Sequence, residues 1–113
     1  MKLIQGDIVL VPFPFSDQKS IKVRPALIIS SRKLNERCRD VWITCISSQV
    51  TSSFNVDLNG NDLSVGTLLK KSYIKYSLIL SIEKSLILKR VAHLKKEKLQ
   101  EVLEKLQELL IQD

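Results

Sequence analysis

The hydrophobic period of this chain changes once, close to residue 95, and that change limits the fold more than any other feature. Before it, apolar residues come in short runs of strand length. After it, Leu99, Val102, Leu103, Leu106, Leu109 and Leu110 recur at i, i+3, i+4, i+7, i+10 and i+11. That spacing predicts an amphipathic helix over about 95–111 with a charged outer face, and no proline or glycine interrupts it.

The runs before the change read as strands. "GDIVLVPF" alternates and meets Pro12 and Pro14, a first strand with a stiff exit, and "SDQKSIK" after it is a polar loop. "PALIIS" is a continuous apolar run opened by Pro25, and "DVWITCISS" is a third strand. "QVTSS" is a turn, "FNVDL" a short strand and "NGND" a turn of the Asn-Gly kind. "SYIKYSLILSI" alternates, which predicts Ile74, Tyr76, Leu78, Leu80 and Ile82 on one face and Tyr73, Lys75, Ser77 and Ser81 on the other. "LILKRVAHL" gives one more short strand, and the charges of "SRKLNERCRD" read as a solvated loop, with a nucleic-acid contact as the other reading. The expectation is one mainly β domain over residues 1–113, with strands within about 5–93 forming a small, partly open barrel and a C-terminal helix. A chain of 113 residues buries roughly 65% of its unfolded surface, enough to fold without a metal or a disulfide.

Composition narrows the partners. The net charge is +6, and the segment from Lys95 onward holds four lysines against five acids, or −1. Residues 1–94 therefore carry +7 (14 cations against 7 acids), a field that suits nucleic acid. Cys38 and Cys45 are too few and too plainly spaced for a disulfide framework or a zinc site, and read as reduced thiols of a cytoplasmic protein. The N-terminal "MKLIQGDIVLVPFPF" is broken by Asp7 and two prolines and resembles neither a signal peptide nor a membrane span.

Several chemistries are excluded by what is missing. His93 is the only histidine, so a two-histidine acid–base pair cannot form within one chain, and His93 itself reads as structural or surface. No cluster has metal-ligand spacing, no nucleophile–histidine arrangement stands out, and three glycines cannot build a phosphate-cradling loop. Catalysis, if present, runs on Arg, Ser, Thr, Asp or Lys without a metal or cofactor. Arg24 is the first candidate, because Pro25 disfavours the α region for it and holds it extended at a strand mouth. Its guanidinium is a planar fork suited to phosphate. A salt bridge to Asp7 or Asp17 is the other reading of the same residue. Ser47 and Ser48 end the third strand with hydroxyls that serve either a site or a turn, and Phe13 and Phe15 are either core anchors or a platform for stacked bases.

Taken in order and at their spacing, "GDIVLVPFPFSD", "KVRPALIIS", "DVWITCISSQ" and "SYIKYSLILSIEKSLILKRVAHL" before a helix resemble the MazF/PemK-like toxin family, from about Gln5 to the C-terminus. The resemblance implies an SH3-like barrel of the MazF/CcdB type, a homodimer, and metal-independent, sequence-selective cleavage of single-stranded RNA. It also implies a cognate antitoxin whose acidic, flexible tail occupies the RNA groove. The family's catalytic arginine before proline matches Arg24, and its hydroxyl at the end of the third strand matches Ser47 of "ISSQ". RNA contacts are expected from Phe15, Ser16, Asp17, Lys19 and Lys22 in and after the first loop, and from Ser48 and Gln49 beyond the third strand. The sequence departs from the family in three places: Ser rather than Thr at 47, no glycine in "SDQKSIKV", and Gln5 where a basic residue is frequent. Two rivals share the field: a CcdB-like toxin of the same fold that binds gyrase, and a non-catalytic nucleic-acid-binding barrel.

Overall fold

A computed structural model describes residues 1–14, 21–50, 52–68 and 70–111. Among the described residues seven strands form a single sheet: β1 Asp7–Pro14, β2 Ile21–Ile28, β3 Asp40–Ser47, β4 Val56–Leu58, β5 Leu63–Gly66, β6 Ser72–Glu83 and β7 Lys89–Leu94. Their order in the sheet is β4-β6-β3-β2-β1-β7-β5, and every pairing is antiparallel. Among the described residues the α-helices are α1 Arg32–Arg37 and α2 Lys96–Leu110.

Both faces of the sheet bury apolar residues. One face carries Ile8, Leu27, Ile46, Ile74 and Leu94, and α2 lies on it through Val102, with Leu99 and Leu106 packed alongside. The opposite face carries Val9, Val11, Ala26, Ile28, Val41 and Ile43, closed by Leu3 and Ile87. The alternation of β1 and β2 supplies both sets, since successive residues of a strand point to opposite faces. The end of the helical stripe behaves differently from its start. Leu109 and Leu110 remain exposed, because α2 runs past the sheet face that Val102 covers.

Four expectations from the sequence need correction. Residues 31–40 hold a helix where a loop was expected: Ser31 caps it by accepting from the Leu34 amide at 3.3 Å, and buried Asn35 donates to the Ser30 carbonyl at 3.1 Å. Six residues are too few to display a hydrophobic period, so the helix rests on its cap and on Asn35, which also donates to the distant Leu3 carbonyl at 3.4 Å. Strand β5 was not expected; only Leu63 of its four residues is buried, which leaves no alternation to read. Its end is fixed by Gly66 at φ +90°, where an added Cβ would come within 2.3 Å of the Val91 carbonyl oxygen of β7. Pro25 does not open β2 but lies within it, opposite Leu10 of β1.

The fourth correction concerns β6. Up to Thr44↔Ile79 its register with β3 is regular; the next pair is Cys45↔Lys75. Three residues, Tyr76 to Leu78, are inserted on β6 against nothing on β3, a bulge that reverses which residues face which way. Ile74 and Tyr76 accordingly join the face under α2, whereas Ile82 packs on the opposite face. Lys75, expected on the face opposite Ile74 and Tyr76, is 9% exposed.

Candidate functional site

The candidate site begins where two strands part. Strands β2 and β3 pair only through Ile28↔Ile43, Leu27↔Thr44 and Ala26↔Cys45. The residue beyond Ala26 is Pro25, which has no amide hydrogen to carry the ladder further. From there β2 continues on β1, pairing Arg24 with Val11 and Lys22 with Phe13, while β3 continues on β6, pairing Ile46 with Ile74 and Ser47 with Tyr73. The sheet therefore opens between the two halves. Continuing the lost register two places would set Arg24 opposite Ser47.

A cavity of about 380 Å³ occupies this opening. Arg24 and Ser47 line it from its two sides, with Cys45 and Lys75 behind and Phe13 and Leu78 at its apolar margins. The polar groups share one sheet face for a simple reason. Residues paired directly across strands point the same way, as do residues two apart on one strand. Ala26, Cys45 and Lys75 form one row across β2, β3 and β6, and Arg24 and Ser47 form the next. The site is the continuation of the Val11, Ala26 and Ile43 core face, with Arg, Cys, Ser and Lys replacing aliphatic side chains at its end.

Local bonding and charge support the arrangement. The Ser47 Oγ accepts from the Gln49 amide at 3.1 Å, so the hydroxyl keeps its own hydrogen to donate into the cleft while it turns the chain at Ser48. Burial pushes the Cys45 thiol up from its ordinary value, and the positive charges of Lys75 and Arg24 pull it partly back. The thiol is thus neutral near pH 7, and both cations act on the same small volume. Ser48 and Gln49 line the cavity as well. Lys22 lies on β2 opposite Phe13 but does not line it. Phe15, Ser16, Asp17 and Lys19 lie outside the described residues.

The salt bridge from Arg24 to Asp7 does not form. The Asp7 carboxylate, 1% exposed, accepts from the Ile4 amide at 2.9 Å and from Arg90 at 3.1 Å, and lies 2.7 Å from the His93 Nδ1. These partners sit at the other end of β1 from Phe13, six residues or roughly 20 Å away. His93 is therefore structural, as expected, and takes no part in the cleft. Among the described residues no three His, Cys, Asp or Glu side chains come together in a way that would hold a metal ion.

With this geometry in view, comparison with known proteins is direct. Residues 4–110 match the family of PemK-like, MazF-like toxins of type II toxin-antitoxin systems. The chain belongs to that family. Among solved structures it is similar to a mycobacterial endoribonuclease in complex with its cognate antitoxin, at 14% identity and a TM-score of 0.76, covering 96% of this chain and 93% of that one. It is similar too to MazF in a MazE-MazF crystal from Deinococcus radiodurans, at 22% identity and a TM-score of 0.75 over 97% of each chain. The Mycobacterium tuberculosis toxin MazF-mt6 superposes with a TM-score of 0.71 at 15% identity, over 95% of this chain and 98% of that chain. At these identities the likeness speaks for the fold, an antiparallel half-barrel with a C-terminal helix. No curated protein matches the chain.

The MazF-like frame also exposes what sequence reasoning missed. Arg24 and Ser47 were legible because a motif surrounds each. Lys75 and Cys45 were not, since one was placed only on a strand face and the other read only as a reduced thiol, and both line the cavity. Only the two interruptions of the sheet, at Pro25 and in β6, bring them to the cleft, and the second leaves no mark in the alternation of "SYIKYSLILSI".

Proposed function

We propose that this toxin is a metal-independent endoribonuclease that cleaves single-stranded RNA in the cleft between β2 and β3. The observation that carries the reading is the parting of the two strands at Pro25, which leaves a guanidinium and a hydroxyl facing one cavity. In the proposed reaction the RNA 2′-oxygen forms a bond to the adjacent phosphorus and loses its proton, while the bond from phosphorus to the 5′-oxygen breaks and that oxygen gains one. The products are a 2′,3′-cyclic phosphate and a 5′-hydroxyl. Because the nucleophile belongs to the substrate, the protein contributes positioning and stabilisation of charge on the phosphorane. Arg24 neutralises the developing oxyanions with its planar fork of donors. Ser47 donates to a phosphate oxygen and orients the 2′-hydroxyl. Ser48 and Gln49 beside it, and Lys22 with Phe15, Ser16, Asp17 and Lys19 before it in the sequence, contact flanking nucleotides.

The same reading gives the toxin a cognate antitoxin with an acidic tail that competes for this cationic cleft, as toxins of this fold crystallise with antitoxin partners. It also gives it a homodimeric state. The apolar residues left uncovered beside α2, including Trp42 and Leu110, favour such an assembly. Two free cysteines suit the reducing cytoplasm, and among the described residues no helix is long and apolar enough to cross a membrane.

The test is cleavage of a long unstructured RNA in EDTA by the wild type, Arg24→Ala and Ser47→Ala. Discrete cuts bearing 5′-hydroxyls are expected from the wild type. Arg24→Ala should lose activity by about 10²–10³ in kcat, the scale of losing one oxyanion donor, and Ser47→Ala by somewhat less. A folded wild type that makes no cuts would transfer the assignment to a gyrase-binding or plainly RNA-binding barrel.

A further inference from the structure

We propose that a ridge of cations, Lys33, Arg37, Arg39 and Lys84, is an exosite that holds the phosphate backbone of RNA running out of the cleft. The inference rests on the ribonuclease reading and adds a surface that no part of that reading requires. It starts from α1. At about 100° per residue, Lys33 and Arg37 stand two places before and two after the buried Asn35 and so point away from it. Asn35 faces inward, donating to the Leu3 and Ser30 carbonyls. Helix stability does not account for the two outward cations. The first turn of α1 holds Arg32 and Lys33 and no acid, the reverse of what the helix dipole favours. Lys33 and Arg37 are also like charges at i and i+4. Glu36 is engaged by Arg32 at 3.0 Å, and among the described residues no carboxylate pairs with Lys33, Arg37 or Lys84.

Neighbouring segments extend the ridge. The Lys84 amide donates to the Arg39 carbonyl at 3.0 Å, which sets the turn after β6 against the start of β3. The Arg39 side chain is 82% exposed, and its Nε lies 4.0 Å from Asp40 and 4.0 Å from Glu83. Ion pairs that open and that long hold a guanidinium weakly. On the other side Arg32 and Lys2 line a hollow of about 160 Å³. The six cations so gathered are interleaved with three acids, Glu36, Asp40 and Glu83.

Strand β6 leads from the cleft to this ridge. Leu78 stands in the cleft wall, and Leu80 and Ile82 pair with Ile43 and Val41, so they point to the same face of the sheet. Leu78 is 48% exposed and Leu80 44%, apolar side chains left in water on a path that ends at Lys84. The path is roughly 20 Å long, within the reach of the roughly 4–16 nucleotides that a small barrel occupies. RNA lying along it would rest bases on the leucines and phosphates on the cations. Guanidinium and ammonium groups on an open surface read the backbone and not the base, so the exosite adds affinity without sequence preference. It holds substrate and transition state alike, which lowers KM and leaves kcat unchanged.

The experiment compares wild type, Arg37→Gln/Arg39→Gln and Lys33→Gln/Lys84→Gln on two RNAs. One is limited to the mapped cleavage site, and the other extends it by about 15 nucleotides on each side. Lys96→Gln/Lys105→Gln removes the same charge from α2, on the opposite face of the sheet, and controls for the general field. Circular dichroism melts verify folding, and the second ridge variant decides the matter should the first not fold. The ridge variants should raise KM on the extended RNA by about 10-fold with kcat unchanged, and cut the short RNA as the wild type does. The salt slope of their binding to the extended RNA should fall by about 1.4, or 0.7 for each cation removed from a single strand. Ridge variants that process the extended RNA like the wild type overturn the exosite and leave the ribonuclease standing. So does a control that loses as much as they do. Intact RNA binding with lost binding to polyglutamate also overturns it, and gives the ridge to an acidic protein. A wild type that cuts neither RNA overturns the ribonuclease reading itself, and this one with it.

Discussion

At the residue scale, the two ends of β1 show how differently one chain treats its charges. Asp7 is buried and fully engaged, by an amide, a guanidinium and an imidazole, and it fixes the Gly-Asp opening to β7. Gly6 before it has φ +99°, and its amide donates to the Ile28 carbonyl at 2.9 Å, so the opening anchors β2 as well. At the other end Arg24 and Lys75 face a cavity. Removing the first kind of charge should cost stability and removing the second kind activity. Asp7→Ala should destabilise the fold by about 3 kcal/mol, near the low end for breaking a buried pair, because Arg90 and His93 both reach solvent and can be rehydrated. Urea unfolding would measure the loss. RNA cleavage per folded molecule should stay unchanged, and a parallel fall in activity would contradict the separation of the two ends.

At the element scale, the strongest local signals were legible from the sequence and the interruptions were not. Strands β1 and β3 and helix α2 follow the apolar runs closely, since each buries a face long enough to display its period, whereas β6 follows its run in extent but not in which residues face the core. Helix α1 and strand β5 escaped notice because six and four residues display none. The candidate site was half legible for the same reason. Arg24 and Ser47 belong to motifs, whereas the approach of Lys75 depends on a register shift that only the paired strand reveals. Strand β5 is held to β7 through the pairs Leu63↔Leu94, Val65↔His93 and Gly66↔Ala92, and the last of these leaves no room for a side chain. Gly66→Ala should cost about 2–4 kcal/mol, because the backbone there is left-handed and the new methyl group would meet the Val91 carbonyl and Ala92 of β7. A thermal melt of the variant would test this. A melting temperature equal to the wild type would mean that β5 detaches at little cost. Gly60→Ala is the control, since a Cβ there meets nothing within 4 Å.

At the scale of the whole molecule, what is left uncovered matters as much as what is packed. Trp42 is 48% exposed and Leu110 72%, and together with Ile29, Ile79, Ser81 and Leu106 they surround an apolar hollow of about 230 Å³ between the sheet and the end of α2. This accounts for the part of the helical stripe that finds no core within the chain, since Leu109 and Leu110 lie beyond the face that Val102 fills. A stripe of leucines continued past its own core is what a second copy would cover. The proposed dimer would use this surface, and a charge within it would have to be desolvated without a partner. Leu110→Glu should therefore weaken self-association by at least about 10-fold, visible as a shift from dimer to monomer in sedimentation velocity, while the fold, whose core excludes Leu110, melts as before. A wild type that remains monomeric at every concentration would remove the dimer from the proposal. A variant that stays dimeric would move the interface to another face. The cleft lies on the opposite face of the sheet from Val102, so comparing RNA cleavage by the dissociated variant and the wild type would show whether one subunit's Arg24 and Ser47 suffice.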